Sequence, residues 1–243
     1  MACCDRNHVE ESAEGVQQPI PCRKDQMASS MLTMLRSLRA YHFGRDDLLE
    51  FRVLTAIAPA LMSGLPSDGL WPSPRSVTEF ITQNQFNKPD EETESGFGPL
   101  LFAAISGNVT VARELINSHH VDVKAPVRVG LPKFGMEKGM DALGFAVSLC
   151  TQTKVHQMVS FLLASGADPN MVYPVSGATA LIGAVVLHNL EGIRALILYA
   201  GERLDLEKAA KANNATALLI AGAYGSFAIL KLLVEAGANR QHK

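Results

Sequence analysis

The chain has little of what catalysis, nucleic-acid binding or membrane insertion requires. Among 243 residues there are four cysteines and one tryptophan, Trp71, and neither sign of charge dominates, with 22 Lys and Arg against 24 Asp and Glu. A nucleic-acid surface needs Lys and Arg clustered on one face, so no nucleic-acid partner is expected from a net charge of −2. The start, Met1-Ala2-Cys3-Cys4-Asp5-Arg6, lacks the apolar core of a signal peptide, and the adjacent cysteines cannot easily bridge to each other. A reducing, cytoplasmic location is expected. Residue 2 is Ala and not the Gly that myristoylation requires, which leaves palmitoylation of Cys3 or Cys4 as the one route to a membrane.

The chemistry of known sites is also missing. There is no phosphate loop, no nucleophile elbow and no zinc-protease helix, and Gly96-Phe97-Gly98 lacks the third glycine of a dinucleotide fingerprint. Cys3, Cys4, His8 and Cys22 do not have the paired spacing of a zinc site, and the adjacent His119 and His120 point to different sides of the chain. No catalytic residue, cofactor or metal is therefore expected. The uncharged stretch from Ala215 to Leu230 is slightly short for a membrane span and is broken by Gly222 and Gly225-Ser226, so it reads as two buried helical faces.

What the chain does have is repetition. Gly177-Ala178-Thr179-Ala180-Leu181 and Asn214-Ala215-Thr216-Ala217-Leu218 open two copies of one pattern. Fifteen residues after each Leu comes an aliphatic pair, Leu196-Ile197 or Leu233-Val234, and then a turn at Gly201 or Gly237. Two earlier copies open at Gly98-Pro99-Leu100-Leu101-Phe102-Ala103-Ala104 and Gly139-Met140-Asp141-Ala142-Leu143, the second closing with Gly166-Ala167-Asp168-Pro169-Asn170. The surplus over a regular period falls around Cys150 to Lys154 and in Ala125 to Lys138. These copies resemble the ankyrin repeat, a helix, tight turn, helix and loop of about 33 residues.

The resemblance implies an all-α, ankyrin-type solenoid of four helix-pair repeats, at about 95–127, 138–172, 176–208 and 213–243. Residues 1–27 read as a disordered tail, because they have almost no apolar periodicity. Residues 28–94 read as an N-terminal helical extension and linker. Its expected parts are a stripe at Met31, Met34, Leu35, Leu38 and Tyr41, a second at Leu48, Phe51, Leu54, Ile57 and Leu61, a Trp71 anchor, and a capping box at Ser76-Val77-Thr78-Glu79. The acidic run Asp90 to Glu94 reads as solvated surface. His188 stands where the family has Gly at the turn between helices, which forces a strained or reshaped turn.

The resemblance also implies a non-catalytic scaffold or adaptor that holds a protein partner against its loop tips and inner-helix face. By position the expected contacts are Phe97, Phe134, Met140, Met171, Tyr173, Leu187 and Tyr224, with Ala178, Ala215, Ser106 and Leu149 on the same face. An alternative is a regulatory or targeting part of a larger enzyme or channel. The other rival, a small enzyme with an unusual site, needs a cleft holding two or more titrating groups with perturbed pKa values. No polar capping repeat follows Gly237-Ala238-Asn239, so self-association through the last repeat is a further expectation.

Overall fold

A computed structural model describes residues 74–84, 86–92, 96–130, 136–150, 154–211 and 213–238. The tail expected over 1–27, the two amphipathic stripes, the Trp71 anchor and Phe134 lie outside these residues. Among the described residues the elements are α1 (Val77–Gln83), α2 (Pro99–Ser106), α3 (Val109–His119), α4 (Ala142–Leu149), α5 (Val155–Ala164), α6 (Ala180–Val186) and α7 (Leu190–Ala200). A short 3-10 turn, Gly201–Arg203, leads to β1 (Ala209–Ala210) and β2 (Ala215–Thr216), then α8 (Ala217–Ala223) and α9 (Phe227–Glu235). The strands pair antiparallel, Ala209 with Thr216 and Ala210 with Ala215, a small ladder among described elements that are otherwise helical.

The helices are short because caps and turns recur at fixed intervals. Three inner helices begin where a side-chain oxygen accepts an orphan amide: Asp141 from Gly144 N at 2.9 Å, Thr179 from Ile182 N and Thr216 from Leu219 N, both at 3.4 Å. α2 begins instead with Pro99 at its first turn, where the missing N–H costs nothing. The inner helices of the first, third and fourth pairs end at a left-handed residue, Gly107 (φ 67°), His188 (φ 55°) and Gly225 (φ 65°). His188 thus adopts the conformation that its position in the sequence demanded, at a steric cost that Gly escapes. In the second pair Cys150 is extended and α5 starts five residues later, at Val155. That longer connection lies where the sequence placed its surplus.

α2, α4, α6 and α8 stack side by side as an inner row, and α3, α5, α7 and α9 stack behind them. The inner helices approach closely, and Ala103, Ala104, Ala146, Ala184 and Ala221 are all fully buried between them. Leu115, Leu162, Leu196 and Leu233 fill the layer behind. One continuous core therefore runs the length of the stack, and no helix pair encloses its own apolar surface. The capping box forms only in part. Ser76 Oγ accepts from Glu79 N at 3.2 Å, while the Glu79 carboxylate reaches Arg75 N and not the cap. The uncharged stretch from Ala215 is two helices broken at Tyr224 to Ser226, and no helix among the described residues is long and apolar enough to cross a membrane.

Candidate functional site

Several residues expected to face a partner are inside. Phe97, Met140 and Tyr173 are fully or almost fully buried, which corrects the expectation that they project from loop tips. Phe97 packs against Phe145 with ring centroids 5.8 Å apart. Met140 closes the long first connection, its carbonyl accepting from Val127 N and its sulfur lying 3.2 Å from Glu137 N. Tyr173 lies along α4, where a Cβ added to Gly144 would sit only 2.2 Å from its hydroxyl oxygen. A large side chain at a tip turns inward where the neighbouring layer offers a glycine in place of a side chain. The spacing of one repeat does not reveal that, because the glycine belongs to another.

Apart from Leu198 and Tyr199 on the outer row, the large apolar residues that remain accessible among the described residues form two groups. At the tips, Val129, Val172 and Val175 are exposed and Met171 is half-buried. Along the inner row and its turns, Val186, Leu219, Tyr224 and Phe227 are exposed and Leu187 is half-buried. Tyr224 is 51% exposed and stacks edge-on against His188, with centroids 5.4 Å apart, and Phe227 at the start of α9 is 78% exposed. α8 contains no charged residue, so these side chains form an apolar edge over the third and fourth pairs. Ser106 and Leu149 are half-buried, Ala215 is partly exposed and Ala178 is buried. Val186 and Phe227 escaped the sequence reading, since they occupy positions that hydrophobic periodicity assigns to packing.

Buried under the tips is a polar cluster. Glu137 accepts from Ser176 N and Ser176 Oγ, both at 2.6 Å, tying the first connection to the second. Asp141 caps α4 with Oδ1 while its Oδ2 and the Tyr173 hydroxyl are buried without a hydrogen-bond partner. Burial pushes the Asp141 carboxyl up to about 6, against the pull of the Gly144 amide. Burial, with the charges of Asp141 and Glu137, also raises the Tyr173 phenol well above its usual range. Two perturbed groups do sit together, and both are enclosed, Asp141 at 1% and Tyr173 at 2% exposure.

A cleft lies elsewhere, between Glu91, Glu92, the start of α2 and His120 to Ala125. Three of its carboxylates are engaged within the protein: Glu91 accepts from Asn87 N and Lys88 N, Asp122 from Lys124 N, and Glu92 pairs with Arg128 at 2.5 Å. Among the described residues no group of three His, Cys, Asp or Glu is placed to hold a metal.

A family model described as ankyrin repeats (3 copies) matches residues 143–243, which takes in all but the first residue of the second helix pair together with the third and fourth pairs. Comparison with curated proteins gives no match. Ankyrin repeats are generally protein–protein interaction modules and typically non-catalytic. By its stacked helix pairs and by this match, the part of the chain over residues 143–243 is similar to ankyrin repeats.

Proposed function

We propose that this chain is a non-catalytic adaptor of four ankyrin repeats, the pair α2–α3 being the first, and that it acts in the cytoplasm. It holds a protein partner across the loop tips and inner-helix face of its third and fourth repeats. The observation that carries this reading is the uncharged apolar edge of Val186, Tyr224 and Phe227. Aromatic side chains that keep half or more of their surface in water bring large contact area with few rotors to freeze, which makes them effective anchors. Met171 and Leu187 lie at its margin and keep the role given them by position, whereas Phe97, Met140 and Tyr173 act in packing. Phe134 stays in the set to be tested.

The experiment is capture from cell lysate with the full chain and with Tyr224→Ser, Phe227→Ser and Phe134→Ser, each checked for folding by far-UV circular dichroism. Leu198→Ser on the outer row serves as control, since that side chain is also exposed. The reading expects a partner retained by the Leu198→Ser chain and lost by Tyr224→Ser and Phe227→Ser. Equal recovery by all four variants removes the proposed face.

A further inference from the structure

We infer that the tips of the first, second and third connections form a surface for an extended acidic segment of a partner protein. Lys138 and Lys211 receive its carboxylates, and Val172 and Val175 between them receive its apolar side chains. The tips are joined into one row. Glu137 of the first tip accepts from Ser176 N and Ser176 Oγ of the second, and Ser176 O accepts from Lys211 N of the third at 2.8 Å. Each tip also lies over the glycine of the one before it: a Cβ on Gly139 would be 2.2 Å from Pro174, and one on Gly177 would be 2.4 Å from Lys211.

Charge is sorted along each connection. The acids come first, just after the outer helix: Asp122, Asp168 and Asp205 each accept the backbone amide two residues on, from Lys124, Asn170 and Glu207, at 2.9, 2.9 and 3.0 Å. The cations come at the tips, where Arg128, Lys138 and Lys211 are exposed. Arg128 is paired with Glu92. Among the described residues no ion pair includes Lys138 or Lys211, and Glu137, the carboxylate next to Lys138, is held by Ser176. Two uncompensated ammonium groups therefore mark the ends of the row.

Between them Val172, Pro174 and Val175 are exposed, Val175 at 69%. A single exposed valine is ordinary, but apolar tip residues flanked by cations offer a segment contact area and charge together. Successive layers stack about 10 Å apart, so the first and third tips are roughly 20 Å apart, the length of about six extended residues. The segment that fits carries carboxylates about six positions apart with apolar residues between them. A nucleic acid or an anionic membrane needs a dense field of Lys and Arg, which two ammonium groups on a chain of net charge −2 do not supply. The tips lie at the N-terminal ends of the inner helices, beside the caps Asp141, Thr179 and Thr216, whereas Val186, Tyr224 and Phe227 lie at or just beyond the C-terminal ends. The inference rests on the adaptor reading for the tips and not for the apolar edge.

The test is fluorescence anisotropy of a fluorescein-labelled peptide, Glu-Val-Pro-Thr-Pro-Val-Glu, titrated with the full chain. The inference expects saturable binding that Lys138→Glu and Lys211→Glu each weaken about tenfold or more, as does Gln in place of both Glu residues of the peptide. Lys231→Glu makes the same charge change on α9 and should match the wild type, as should Tyr224→Ser, so the apolar edge can fail without the tips failing. A peptide with Lys at both ends should bind the double variant Lys138→Glu, Lys211→Glu and not the wild type. Absence of binding to the wild type overturns the inference, as do equal binding by both tip variants and equal weakening by Lys231→Glu. Loss of binding in Tyr224→Ser overturns it in favour of the apolar edge. Tighter binding of a single-stranded oligonucleotide or of phosphatidylserine vesicles than of the acidic peptide overturns it in favour of a phosphate surface. If a charge reversal unfolds the chain, Lys138→Gln and Lys211→Gln are read by the same criteria.

Discussion

Asp141 is the residue where a single proton matters most. Its folded carboxyl keeps its proton up to about pH 6, whereas an unfolded one loses it near 3.8. Between those values folding takes up a proton, so stability falls as pH rises and the loss is complete above about pH 7. The shift corresponds to about 3 kcal/mol at most. Asp141→Asn keeps the Oδ1 cap and removes the buried charge. By urea denaturation it is expected to exceed the wild type by about 1–3 kcal/mol at pH 8 and by clearly less at pH 5; equal curves at both would show that the carboxylate is not desolvated. Gly144 is a second such point, because Tyr173 leaves no room for a Cβ. Gly144→Ala should cost about 1–3 kcal/mol by overpacking. Added to Tyr173→Phe, which removes the hydroxyl it strikes, the same change should cost less, a coupling measurable in a double-mutant cycle. The strain at His188 was legible in one residue, whereas the depth of Tyr173 depends on a glycine 29 positions away.

At the scale of the element, the helix pairs are held in register by backbone that comes unusually close. α7 passes so near the end of α4 that a Cβ on Gly192 would lie 1.9 Å from Val147 O, and Asn189 donates to that same carbonyl. Asn189 therefore both caps its own helix and clamps the preceding layer. Asn189→Ala is expected to cost about 1–3 kcal/mol, more than loss of an isolated cap, as read from the shift in chemical denaturation midpoint. A cost of only a few tenths would mean that the inter-layer bond contributes nothing. Helix positions and the lengthened turn of the second pair follow from caps, turn residues and aliphatic pairs in the sequence. The small β1–β2 ladder does not, since Ala-Ala and Ala-Thr carry no strand signal and pair only because the layers hold their ends together.

For the whole molecule, stability belongs to the stack, and each layer depends on the next. Leu162, buried in the second pair with a layer on either side, should cost about 2–5 kcal/mol when replaced by Ala. Native-state hydrogen exchange should grade along the stack, with α8 and α9 opening before α4 and α5, because α8 leaves Leu219, Gly222 and Ala223 exposed. Uniform protection from end to end would show one rigid cooperative unit instead. By itself the sequence determined that the chain is built of repeated helix pairs and that the turn at His188 is strained, because these are local: caps, turn residues and apolar spacing act within a few residues. Only the tertiary structure decided which apolar residues face water. Tyr173 and Phe97 are enclosed while Tyr224 and Phe227 are open, because exposure depends on the layer next door, and a repeat pattern read within one layer carries no information about what its neighbour leaves uncovered.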